Sequence, residues 1–283
     1  MRSTNLSKRI SLSRWSRVAA LGPRLAIGLK HIGKESIWVA KWLIMSREHT
    51  NFTYNLTAVN RSYLVWFCSE VTGASYAECE ALVDELDSDA GLRQRISEAA
   101  AMSPRSGITD RTAKYGRRLV WYVLVRLYKP NVVVETGTDF GLGSVVLGAA
   151  LLRNGSGSLV TIDVNPLSGS LIAYFPELPI VQRVGSSLDI LPSLEKIDLF
   201  LHDSNHDPEY EKAEITAALL NSNPGVVLMS DNAHDSTELA SIARDRDWKF
   251  LFFAEKPESH WWPGDGVGIA IPRHSARHSG SSQ

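Results

Sequence analysis

Two cysteines, Cys68 and Cys79, are all that the 283 residues contain, and they form no CxxC pair. So few thiols exclude a disulfide scaffold, and they read as small buried apolar residues in a reducing compartment. No excess of charge is present either. Thirty Lys and Arg face 31 Asp and Glu, for a net charge of −1, so no global field favours nucleic acid. The apolar run SIWVAKWLIM (36–45) is too short to span a bilayer and is interrupted by Lys41. No internal repeat is visible. Glycosylation sequons occur at Asn51, Asn55 and Asn60; without a secretory signal they read as chance, and the expected compartment is cytoplasmic.

Acid is absent from the first 34 residues, which hold eight Lys or Arg. Such a segment reads as a solvated arm, with a transit peptide or a membrane-surface contact as the other readings. Gly22-Pro23 is expected to interrupt any long helix there. What the chain does have is ordinary for a globular protein, 44% hydrophobic and 22% charged residues, in a length that buries a proper core.

The pattern divides the chain into a basic segment (1–46), a helical portion (47–110), a main domain (111–275) and a disordered tail (276–283). SYAECEALVDEL opens with a capping box, Ser75 and Glu78, followed by Leu82, Val83 and Leu86 at helical spacing. From residue 111 onward, short β-branched runs alternate with helices. The strands are NVVVE, SLVTID, PIVQRV, IDLFLHD, GVVLMSD, KFLFFAE and GVGIAI. That alternation predicts an α/β, doubly wound, mostly parallel sheet covered on both faces, with ligands outside the carboxyl ends of its strands.

Chemistry collects at those ends. VVVETGTDFGLGS (132–144) ends a strand on Glu135 and continues through Gly137, Gly141 and Gly143 into a helix. A glycine loop there lets the backbone approach a ligand. The spacing is not the GxGxxG of dinucleotide folds, and an acid before the first glycine suits a cationic ligand end. Asp163 follows Gly137 by 26 residues, where a ribose-binding acid belongs. VGSSLDIL offers Ser187 and Asp189 to an adenine edge, or forms a plain turn. Two further strands run into polar clusters, LFLHDSNHDPEY and VVLMSDNAHDS. Asp207, with Pro208 behind it, and Asp235, with Glu238 three later, are expected helix caps. Asp203 and Asp231 precede the caps by four residues each and need another purpose. His202 and His234 read as structural or surface histidines. Trp261 and Trp262 suit a pocket wall or packing on the N-terminal helices, and REHTNFTY (47–54) another wall.

These motifs, in this order, give residues 111–272 a resemblance to the class I S-adenosylmethionine-dependent methyltransferases. The two polar clusters resemble the metal-site segments of the catechol-type and sugar O-methyltransferases and of their cephalosporin-hydroxylase-like relatives. The resemblance implies a Rossmann-like methyltransferase sheet with an antiparallel last strand. It implies a cofactor site of Glu135, Gly137, Thr138, Gly141, Ser144, Asp163, Ser187 and Asp189. It also implies Mg²⁺ held by Asp203, Asp231 and Asn232, with His206 as the general base where the catechol-type family has lysine. Oxygen ligands suit Mg²⁺, and histidine has a pKa nearer neutrality than lysine.

The expected acceptor is a small molecule, with a hydroxyl on a glycoside or glycolipid first and a catechol-like phenol second. No nucleic acid is expected, and a homo-oligomer and a peripheral membrane contact stay open. Competing readings are a nicotinamide oxidoreductase, against which the glycine spacing argues, and a base methyltransferase, whose Pro-Pro-aromatic segment is missing. A non-catalytic relative that binds the cofactor or a partner protein is the third.

Overall fold

The computed structural model describes residues 20–49 and 52–273. The basic residues before 20, the sequon at Asn51 and the expected tail at 276–283 lie outside them. The chain forms two compact units, one made of the segment up to Ser46 with Ser259–Trp261, the other of Arg47–Glu258 with the residues from Trp262 onward.

The first unit contains helix α1 (Leu21–Met45), one element of 25 residues. Gly22-Pro23 was expected to break a helix here; instead the pair lies in its first turn. A proline costs little there, because the first N–H groups have no intrahelical partner. No described helix is long and apolar enough to cross a membrane.

The second unit opens with α2 (Ala58–Thr72), α3 (Tyr76–Asp87) and α4 (Ala90–Met102). The capping box of α3 forms as the sequence predicts, with Glu78 N–H donating to Ser75 Oγ and Ser75 N–H to Glu78. Asn60 is buried and bonded at both ends of its amide, to the Ala254 carbonyl (3.0 Å) and the Lys256 N–H (2.8 Å). Its sequon is therefore chance, as expected. Helix α5 (Arg118–Tyr128) has a central run, Leu119 to Val125, that is apolar on every side and buried throughout. Such a helix needs partners all round. It finds them in α2, α3 and α6 (Leu142–Asn154). One apolar core therefore joins the helical portion to the sheet, with Cys68 and Cys79 inside it.

Seven strands form a single sheet among the described residues: β1 (Val132–Thr136), β2 (Ser158–Asp163), β3 (Ile180–Val184), β4 (Ile197–His202), β5 (Ser222–Ser230), β6 (Trp248–Ala254) and β7 (Gly266–Pro272). Their order is β3-β2-β1-β4-β5-β7-β6, with β7 antiparallel to both neighbours and the rest parallel. The expected doubly wound sheet with an antiparallel last strand is borne out. The chain leaves β1 toward β2 and β3, then returns to the other side of β1 as β4. This reversal opens a crevice at the carboxyl ends of β1 and β4.

Backbone bonds carry the register past the strand ends. Gly137 N–H donates to the Ile162 carbonyl (2.8 Å), Asp203 N–H to Thr136 (2.9 Å) and Asp231 N–H to His202 (2.8 Å). Helix α8 (Pro208–Leu220) then begins with Asp207 as cap, its Oδ1 accepting from Glu209 and Tyr210. Helix α9 (Glu238–Asp245) corrects an expectation. Its cap position is Thr237, without a side-chain bond, and Ser236 Oγ accepts the Glu238 N–H. Asp235 is not a cap; its carboxylate faces His234 at 3.4 Å.

Candidate active site

The rim formed by these strand ends carries two cavities that meet at Gly137, Asp139 and Asp203. One, of about 320 Å³, runs over β2 and β3 and is lined by Asp163, Gly185, Ser187 and Tyr210. The other, of about 410 Å³, lies over the β1–α6 loop and is lined by Glu135, Thr138, Gly141, His206, Asn232 and Arg117, with Phe52, Thr53 and Trp262 along another wall.

Gly137 fixes the junction. Its φ is +90°, and a Cβ there would meet the Asp203 carbonyl oxygen at 1.8 Å. Only glycine lets β1 and β4 approach so closely at their ends. Beneath the loop, Glu135 is buried and receives Thr161 Oγ1 at 2.7 Å and the hydroxyl of Ser144. Burial pushes its carboxyl up to about 7, even though these two hydroxyls favour the charged form. On the smaller cavity, Asp163 accepts the N–H groups of Asp139 (2.9 Å) and Asn165 (2.8 Å), one on each oxygen. Each oxygen keeps a lone pair for another donor.

Most of the expected cofactor residues therefore gather on the rim, and two do not. Ser144 lies below the loop and binds Glu135 rather than lining the cavity. Asp189 is exposed on the short helix α7 (Ser187–Ile190) and lines neither cavity. Ser187 does line the smaller one, held by the Tyr210 hydroxyl (2.9 Å) and by Glu214.

At the ends of β4 and β5, Asp203 and Asn232 line the larger cavity, and Asp231 is buried beside them. Asp231 was expected to serve a purpose other than capping, as a ligand of Mg²⁺. It is paired: Arg117 grips both of its oxygens, Nη2 to Oδ2 at 2.5 Å and Nε to Oδ1. Arg117 also lies 3.3 Å from Asp265 and 3.6 Å from Glu255. Burial opposes ionisation of Asp231, and the guanidinium outweighs it, holding the carboxyl below its ordinary range. Burial and the Asp231 charge push Asp203 well above its own. Burial raises Glu255 too, to about 7. The Arg117 guanidinium thus faces a surplus of buried carboxyls, and Arg118 adds to the field on Asp203 and Asp231.

That surplus is where a divalent cation fits by donor chemistry. Asp203 and the buried Asn232 Oδ1, which has no hydrogen-bond partner, share one cavity, and Asp231 adjoins them. Among the described residues no three His, Cys, Asp or Glu side chains gather as a metal cluster; the set here is two carboxylates and an amide.

His206 lines the cavity, and its ring meets that of His202 edge-on at 5.5 Å between centroids. Burial pushes its pKa below the usual value, which favours the uncharged imidazole that can accept a proton. His202 is structural, as expected: it is fully buried, with Nδ1 2.6 Å from Glu214. Trp262 and Trp261 divide the two roles open to them. Trp262 lines the cavity with Phe52, 5.3 Å away, whereas Trp261 packs against Trp42 of α1, the rings tilted and 4.3 Å apart. Arg117, Glu255 and Asp265 escaped the sequence reading. The signal for Arg117 was a charged pair, Arg117-Arg118, directly before a run of seven buried residues, Leu119 to Val125.

Residues 134–233 match the family model described as a methyltransferase domain. This stretch is thus similar to a methyltransferase domain. The match begins in β1 and ends just beyond Asn232, and thus takes in the glycine loop and both acidic strand ends. Comparison with curated proteins finds no match. Among solved structures, the chain is similar to the O-methyltransferase TomG from Streptomyces achromogenes, involved in tomaymycin synthesis and solved with S-adenosylmethionine. Identity is 24%, coverage 63% of this chain and 89% of that one, and the TM-score 0.48. An O-methyltransferase from Bacillus cereus, solved with S-adenosylhomocysteine, is 21% identical over 77% of this chain and 98% of that one, with a TM-score of 0.47. A methyltransferase from Geobacter sulfurreducens is 17% identical over 63% and 90%, with a TM-score of 0.49.

Proposed function

We propose that the domain uses S-adenosylmethionine to methylate a hydroxyl of a small molecule, a sugar hydroxyl of a glycoside or glycolipid first and a catechol-like phenol second. One observation carries this reading: the Asp163 carboxylate, with a lone pair left on each oxygen, lines one cavity and the His206 imidazole the other, and the two cavities meet at Gly137. Asp163 would bind the ribose hydroxyls, with Ser187 and Tyr210 along the adenine side. Glu135, below the loop, would balance the ammonium of the methionine part. When bound, the cofactor supplies an electrophilic methyl on a sulfonium sulfur. A ring nitrogen of His206 would take the hydroxyl proton as the oxygen bonds to that methyl and the carbon–sulfur bond breaks. Phe52 and Trp262 offer flat apolar faces to a sugar or aromatic ring.

Asp203, Asp231 and Asn232 are the residues that would hold Mg²⁺, which would lower the pKa of the acceptor oxygen and fix it in place. A second reading has an observation of its own. Arg117 already occupies both oxygens of Asp231, and a guanidinium there supplies positive charge without a metal.

The test is isotope-labelled methyl transfer from S-adenosylmethionine onto a panel of sugar hydroxyls and catechols, with and without chelator. Transfer that chelator abolishes and Mg²⁺ restores supports the metal reading, and transfer indifferent to chelator supports the guanidinium reading. Tight cofactor binding with no transfer to any acceptor would favour a binding protein of this fold.

A further inference from the structure

Helix α1 presents a broad apolar face that nothing in its own unit covers. Leu21, Leu25, Leu29, Ile32, Val39 and Leu43 recur at intervals of three, four or seven and lie along one side. They are exposed, Leu25 by 65% and Leu43 by 69%. Ile27 and Ile37 flank the lysines on the other side, whereas Ile44, 84% exposed, widens the face further. Its one hydroxyl, Ser36, turns back to the Ile32 carbonyl at 3.0 Å and leaves the face without a polar donor.

The opposite side is cationic. Lys30, Lys34 and Lys41 fall within a narrow arc there, and Lys41 Nζ sits 4.4 Å above the ring of Trp38. With Arg24, and against the single acid Glu35, the helix carries four Lys or Arg and one Glu, a net +3. The residues before it add Arg2, Lys8, Arg9, Arg14 and Arg17 and no acid.

We propose that α1 lies in the surface plane of an anionic lipid bilayer, with its apolar face among the acyl chains and its lysines at the phosphates. Charge complementarity selects this occupant, since long lysine side chains reach the headgroup plane from a helix whose other side is immersed. A second copy of α1 is the competing occupant, because the same residues also fit a coiled-coil seam. The flanks argue against it. Positions beside the seam are Ala26, Gly33 and Ala40 on one side and Gly28, Glu35 and Trp42 on the other, without the opposite charges that pair such helices. The apolar arc is also wider than a two-residue seam.

The experiment is co-sedimentation of the full chain with phosphatidylcholine vesicles, with and without phosphatidylglycerol. The expected result is binding that requires phosphatidylglycerol and weakens with salt. It should fall about tenfold or more in K30E/K34E/K41E, on the scale of surface lysines at an anionic leaflet, and be lost in L25D/L43D. Thermal melting of the main domain should be unchanged in both variants, since both change only exposed residues of α1. No sedimentation, or equal sedimentation on neutral and anionic vesicles, would overturn the proposal. So would a lipid-free dimer by light scattering that L25D/L43D converts to monomer.

Discussion

Arg117 holds Asp231 through both carboxylate oxygens, in a site where the arginine side chain is 11% exposed and the aspartate fully buried. Removing the cation from such a pair leaves a buried charge without compensation. Arg117→Met should therefore cost about 3–5 kcal/mol of folding stability. Asp231→Asn in the same chain should recover a large part of that loss, because it removes the orphaned charge. Denaturant unfolding of the two single variants and the double variant checks this. Strictly additive losses would show that the two side chains do not act as a pair.

Glu135 gives cofactor binding a pH dependence. Its carboxyl is raised to about 7 by burial, so much of it is protonated at neutral pH. If the ionised form balances the cofactor's ammonium, binding takes up the deprotonated state. Affinity then rises with pH toward and through 7, by up to about tenfold per unit below it. The stability contribution has the opposite sense. A carboxyl raised in the folded state stabilises most below its unfolded value of 4.5, and that gain is lost as pH rises through about 7. Calorimetric titration from pH 6 to 8 should show the affinity slope, and Glu135→Gln should flatten it. A slope that survives the substitution assigns the proton elsewhere.

His206 is expected to be the base. Its loss should lower turnover by roughly 10²–10⁴-fold while leaving cofactor affinity nearly intact. Because burial lowers its pKa, the acid limb of the pH–rate profile should fall below the ordinary histidine value of 6.5. An already ionised phenol needs no base, so His206→Ala should cost less with that acceptor. An equal loss with ionised and neutral acceptors would leave the histidine a structural part of the wall.

The sheet and the strand ends that form its rim were legible because each depends on local pattern. β-branched runs mark strands, and a glycine loop or an acid placed just after a strand marks its carboxyl end. Arg117 was not legible, because its partners are 114 and 148 residues away and only the closed sheet brings them together. Asp235 misled for a different reason. An acid three residues before a glutamate fits a capping box, but the turn at Asn232, with φ +54°, carries the chain two residues further before α9 begins. Asp189 and Ser144 misled because motif order gives sequence position and not depth, and one faces solvent while the other is sealed under the loop.

Two glycines separate close approach from backbone strain. Gly137 and Gly155 both have left-handed φ, +90° and +69°, so alanine at either meets the same kind of backbone penalty, about 1–2 kcal/mol. They differ in what a Cβ would touch. At Gly155, beyond the end of α6, nothing lies within 4 Å; at Gly137 the Asp203 carbonyl oxygen would lie at 1.8 Å. That oxygen belongs to the residue whose N–H bonds the Thr136 carbonyl, so β1 and β4 would have to part at the rim. Gly155→Ala should unfold at slightly lower denaturant and bind cofactor as before. Gly137→Ala should lose clearly more stability and, where it still folds, bind S-adenosylmethionine far more weakly, since both cavities meet at this residue. Unfolding curves and calorimetry on the two variants decide the matter. Equal effects at the two positions would mean that the strand ends can separate without harm, and that the rim is not the ligand site.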